Sequence, residues 1–169
     1  LQNGAMFYSG GSAITFNRLC RYNSVQEQPS AWGSTTTPLS LVNLNTTFST
    51  PPDMRLRFTD AAIVAANSFL LDVNNYDILS VLMLTDCQLR GVTQELVNYL
   101  TSVPAYHLTN NLMLRAQWIF FQDALPGYFP FTVNLYHNLF AGGRLTLAYY
   151  DASTTVWTVK DNLFDRADL

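Results

Sequence analysis

Few side chains in this sequence could do chemistry, and their spacing does not assemble a familiar site. The two histidines, His107 and His137, belong to neither an H-x-H nor an H-E-x-x-H pattern, so a metal centre would have to gather ligands from scattered positions. Asp123 and His137 fall on either side of an expected turn. They would allow an acid–imidazole pair with a Ser or Thr nucleophile, but no G-x-S-x-G elbow accompanies them. Asp72, Asn74 and Asp77 place oxygen ligands in a short loop, as calcium sites do. The EF-hand pattern fails, however, because Asp77 stands where its glycine is needed and Met83 where its terminal glutamate is needed. Gly142-Gly143-Arg144 lacks the strand-loop-helix setting of a phosphate loop and reads as a turn before a strand. Cys20 and Cys87 form no C-x-x-C, which excludes the usual zinc and thioredoxin signatures and favours two buried free thiols over a disulfide. No catalytic residue, metal or cofactor is expected.

The elements that would carry these residues are mostly strands. From Leu112 to Tyr150 the sequence reads as three successive strands. Leu112, Leu114, Ala116, Trp118 and Phe120 form one apolar face, with Met113, Arg115 and Gln117 opposite. Pro126-Gly127 and Gly142-Gly143 punctuate this stretch, and alternation resumes at Phe131, Val133, Leu135 and His137, then at Leu145, Leu147 and Tyr149. Upstream, Ala5–Tyr8 and Ser12–Phe16 flank a Gly pair like the arms of a hairpin. Residues 22–53 read as long polar loops with a strand near Leu39–Phe48. Arg55–Phe58 reads as an edge strand, Ala61–Leu71 as helix or buried strand, and Ile78–Leu84 and Val156–Val159 as strands. Thr93–Ser102, capped by Thr93 and ended by Pro104, reads as a short helix. No internal repeat is evident. The expectation is one domain over residues 1–169, all-β with one or two short helices, built as a two-sheet β-sandwich resembling a jelly roll.

Composition narrows the function classes. Hydrophobic residues make up 49% and aromatic residues 14%, so a full core is expected. Charged residues are only 12%, and Lys160 is the sole lysine, which leaves a neutral polar surface rich in Thr and Asn that costs little to desolvate in contacts. A net charge of −3 without any basic run argues against nucleic-acid binding. The longest apolar run, Ala61–Ala66, is far too short for a membrane-spanning helix. A chain opening on Leu1 without a leader pattern reads as a processed product or part of something longer. Asn45-Thr46-Thr47 would accept a glycan if secreted. Exposed aromatics could stack on sugars, and Tyr22, Trp32 and Arg144 are the candidate contact residues.

One family resemblance can be stated. Phe140, Gly143, Arg144, Leu145, Leu147 and Tyr149 resemble a strand-to-strand segment of picorna-like virus capsid jelly rolls, and Phe7-Tyr8-Ser9-Gly10-Gly11 resembles the aromatic-glycine lead-in to such a strand. Because the lead-in lies far upstream, the likeness extends to other viral β-sandwiches, including spike or fibre heads. It implies a non-enzymatic viral structural protein, a capsid component or projecting attachment head. Such a protein would be located in the virion and would act through homo-oligomers and a host receptor. The alternative expectation is a carbohydrate-binding module of a secreted protein, with a glycan as partner.

Overall fold

Within Asp53–Arg57, Met54 and Leu56 are buried while the residues flanking them are not, and the same inside-outside alternation recurs at Val81–Thr85, Ala105–Thr109 and Thr132–Tyr136. These are strands of one sheet, and what distinguishes the fold is how they are joined. The computed structural model describes residues 4–20, 39–43, 51–62, 68–72, 79–97, 105–122, 132–149 and 156–169. In chain order the strands are β1 (Met6–Gly10), β2 (Asn17–Cys20), β3 (Leu39–Asn43), β4 (Asp53–Arg57), β5 (Thr59–Ala62), β6 (Ser68–Asp72), β7 (Val81–Thr85) and β8 (Gln88–Arg90). They continue as β9 (Thr93–Val97), β10 (Ala105–Thr109), β11 (Leu112–Gln122), β12 (Thr132–Tyr136), β13 (Leu139–Tyr149), β14 (Val156–Lys160) and β15 (Leu163–Asp165).

Two sheets face one another. A six-stranded sheet runs β1-β4-β7-β10-β12-β14, and a nine-stranded sheet contains all the others. Every pairing between these strands is parallel and in register. Each turn of chain therefore lays down one strand of the flat sheet, rounds a corner, lays down two limbs of the second sheet and returns one strand further on. The result is a coiled, solenoid-like stack. The nine-stranded sheet bends between its limbs. β11 pairs with β8 through Leu112–Leu114 and with β9 through Gln117–Phe121.

The all-β, two-sheet expectation holds, but the jelly-roll connectivity does not, because a jelly roll needs antiparallel neighbours. Alternation of apolar residues is the same for either strand direction, so it could not separate the two. No helix occurs among the described residues, and Thr93–Val97, expected to open one, is strand β9. The expected hairpin at Ala5–Phe16 is absent: β1 pairs in parallel with β4, and only a Ser12–Thr15 bridge closes the turn. β4 is not an edge strand, since it lies between β1 and β7. The three strands expected in 112–150 are present as β11, β12 and β13. Their facing is partly reversed, however. Met113 is buried and Leu114 is 37% exposed, whereas Ala116, Trp118 and Phe120 are fully buried. Arg115, at φ 50, takes an extra left-handed step that shifts the phase of alternation by one residue.

Left-handed residues mark both corners. Phe58, Asp86, Asn110, His137 and Asp161 occupy the first, and Gly91, Arg115, Gly142 and Arg166 the second. Immediately after the first corner, an internal ladder of Asn111, Asn138 and Asn162 ties successive coils. The backbone N–H of Cys87 donates to Asn111 Oδ1 (2.9 Å), that of Asn111 to Asn138 Oδ1 (3.1 Å) and that of Asn138 to Asn162 Oδ1 (2.9 Å). Each amide nitrogen in turn donates to a carbonyl of the preceding coil, at Leu84, Leu108 and Leu135. Cys87 takes the ladder position one coil earlier, with Sγ 3.2 Å from the Thr85 carbonyl oxygen, and burial pushes its thiol up to about 11. Cys87 is a buried free thiol as expected; Cys20, also free, is exposed. A bidentate Arg90–Asp60 pair (2.9 and 2.6 Å) clamps β5 to β8.

The core is a set of columns along the stack. Leu56, Leu84, Leu108 and Leu135 form one, and Met54, Leu82, Tyr106 and Val133 another, all essentially inaccessible. Phe120 meets Tyr106 and Trp157 across the sheets, with ring centroids 5.9 and 6.4 Å apart, and stacks with Trp118 of its own strand at 6.1 Å. Phe140 stacks on Phe164 at 5.1 Å.

Two substitutions test this account. Asn138→Ala strands the Asn111 N–H and the Leu108 carbonyl in a buried corner, so urea unfolding should show a loss of about 3 kcal/mol. At the second corner the neighbouring glycines should differ sharply. A Cβ on Gly143 would lie 2.1 Å from the Ala116 carbonyl oxygen, whereas one on Gly142 meets nothing closer than Arg115 Cγ at 3.7 Å. Gly142→Ala should cost about 1–2 kcal/mol for its positive φ alone, and Gly143→Ala clearly more.

Candidate functional site

The left-handed residues of the first corner are the ones whose side chains the backbone turns outward. Stacked in register, they make a ridge of Phe58, Asp86, Asn110, His137 and Asp161 along the molecule. Beside this ridge the turn at residues 11–16 leaves the path of the coil. Gly11 permits it: its N–H donates to the Arg57 carbonyl, and a Cβ there would lie 2.4 Å from the Phe58 carbonyl oxygen. Between turn and ridge lies an open depression of about 330 Å³, whose walls include Phe16, Phe58, Asp86, Gln88, Asn110 and His137.

Its chemistry is half apolar and half polar. Phe16 and Phe58 meet edge to face at 6.1 Å, and the Arg57 guanidinium covers Phe58 at 4.9 Å. Asn110 Nδ2 donates to Asp86 Oδ1 (2.7 Å), while Arg57 Nε lies 3.7 Å from Asp86 Oδ2. The carboxylate is thus fixed by two neighbours and retains acceptor capacity toward the opening. Asp86 and His137 stand on coils separated by that of Asn110, which puts them about 10 Å apart at the usual strand spacing. They do not form a hydrogen-bonded acid–imidazole pair. The geometry suits the holding of a small polar ligand with an apolar face, in a cavity of the size such ligands occupy.

A second polar cluster lies on the outer face of the flat sheet. His107 Nδ1 and Asn134 Nδ2 are 3.1 Å apart, and Arg55, held to Asp53 at 2.9 Å, shares their transverse row. Partial burial, then the Arg55 charge, holds the His107 imidazole below its ordinary 6.5.

Of the residues singled out in the sequence, Tyr22, Trp32, Asp123, Asn45-Thr46-Thr47, Asn74, Asp77 and Pro126-Gly127 lie outside the described residues, as does the side chain of Asp72. Arg144 is exposed on β13, in register with Gln117, and its backbone bridges to Asp168 rather than contributing to the depression. Gly142-Gly143 is not a hairpin turn but a bend within β13. Among the described residues no three His, Cys, Asp or Glu side chains converge as metal ligands, and no helix is long and apolar enough to cross a membrane.

Sequence reasoning missed the corner residues, although a signal was there. Asn111-Leu112-Met113, Asn138-Leu139-Phe140 and Asn162-Leu163-Phe164 repeat one pattern, at spacings of 27 and 24 residues. Unequal spacing hid it. Comparison with protein-family models, with curated proteins and with solved structures finds no match.

The His107 environment sets a pH dependence. The unfolded chain takes up a proton near 6.5 that folded His107 resists, so stability is complete above that pH and declines as pH falls below it. Urea midpoints measured across this range should show the decline, and His107→Gln should flatten it.

Proposed function

We propose that the protein is a non-enzymatic structural and attachment protein of a virion or another extracellular assembly, and that the corner depression holds a neutral glycan of its target. The observation that carries this reading is the composition of the depression: an aromatic pair for the C–H face of a sugar beside an Asp86–Asn110 pair and Gln88 for its hydroxyls. The ridge is backed by the buried asparagine ladder, so these groups are pre-organised and lose little freedom on binding. The low charge of the surface fits the same role, because few ionic groups need desolvation. The secreted carbohydrate-binding alternative would use the same depression and differs only in what the chain is attached to.

A glycan array followed by calorimetry tests the reading. Wild type should bind a neutral oligosaccharide; Asp86→Ala should weaken it by about tenfold or more, as loss of a hydrogen bond to a carboxylate implies, and Phe16→Ala by about tenfold through the lost stacking face. Circular dichroism should be unchanged in both variants. Binding that survives both substitutions, or silence across the array, would overturn the proposal.

A further inference from the structure

The corner depression extends well beyond the width of one sugar ring. Phe58, Asp86, Asn110 and His137, which all line it, come from four successive coils. Backbone hydrogen bonds between those coils fix their spacing. The N–H of Phe58 donates to the Thr85 carbonyl, that of Asp86 to Thr109, that of Asn110 to Tyr136 and that of His137 to Lys160, at 2.9–3.2 Å. From Phe58 to His137 is three strand spacings, about 14 Å. His137 thus has a coil on either side of it, and its ring lies against that of Tyr136, with centroids 6.4 Å apart.

Along this length the lining changes character twice. Phe16 and Phe58 form an aromatic end beside the turn at residues 11–16. The Asp86–Asn110 pair and Gln88 make a polar middle. Beyond Gln88 the floor is apolar again, because Leu112 follows it in register and Leu139 follows Leu112. Both leucines are partly exposed and, with His137, line the same opening. A single ring resting on the phenylalanines would leave this second apolar patch in water. A chain of sugars would set C–H faces on both patches and hydroxyls on the polar groups between them.

We infer that the depression takes a linear, unbranched neutral oligosaccharide of about three units laid across the coils along the stack axis, with Leu112, Leu139 and His137 as a second sugar subsite. A chain laid along a single strand would meet the residues of one coil, and so would leave either the aromatic end or the leucine patch unused. This placement rests on the glycan reading and adds to it the shape of the sugar and the part played by His137.

Calorimetric titration of the full chain with linear gluco-, manno-, galacto- and N-acetylglucosamine oligosaccharides, from monosaccharide to pentasaccharide, tests it. Within a series that binds, affinity should rise about tenfold or more from the monosaccharide to the trisaccharide and then level off. His137→Gly removes the ring at a position whose φ of 55 suits glycine, and should cut that gain to about threefold or less. If His137→Gly alters the circular dichroism, Leu139→Thr, at a partly exposed strand position, serves in its place and should also shrink the gain. Equal affinity for monosaccharide and trisaccharide, a gain that both substitutions leave untouched, or binding confined to branched glycans on the array would each overturn this placement while the glycan reading stands. Silence across these oligosaccharides and the array alike would overturn both.

Discussion

Everything in this molecule depends on the amide that turns each coil back into register. A parallel stack has no hairpin to fix its pairing, so alignment between coils must be specified side by side. The ladder through Asn111, Asn138 and Asn162 does this by satisfying the corner's backbone groups with side chains from adjacent coils. Such groups would be costly to bury unpaired. Once register is fixed, like residues fall on like residues and the core columns close without further instruction.

The candidate site is a by-product of that arrangement. A left-handed residue is needed just before each rung, and at such a residue the side chain leaves the coil. Phe58, Asp86, Asn110 and His137 are therefore placed by a backbone requirement while their side chains stay free to vary. This is how a rigid scaffold can present chemically diverse groups at fixed spacing.

Strand content and location were largely legible, because inside-outside alternation is local. The three strands across 112–150 show it, as do β7 and β14. Direction of pairing was not legible, since Met54 and Leu56 would alternate identically beside an antiparallel partner. Thr93–Val97 misled because capping and an apolar stripe favour a helix locally, while a place between β11 and β6 makes it a strand. Arg115 misled differently: one residue of positive φ inverted the faces of Leu112 and Leu114 relative to Ala116 onward. The depression was beyond sequence reading altogether, because Phe16 and His137 come to line one opening only through stacking of distant coils.

The corners carry one more consequence. The pairs Asp86 and Gly91, Asn110 and Arg115, His137 and Gly142, and Asp161 and Arg166 all span the same interval. Differences in coil length, visible as rung spacings of 24, 27 and 24 residues, fall wholly between the second corner and the next flat-sheet strand. Each coil thus has a metric part and an elastic part. Coils 24 and 27 residues long thus keep the ridge, the ladder and the sheets in one alignment.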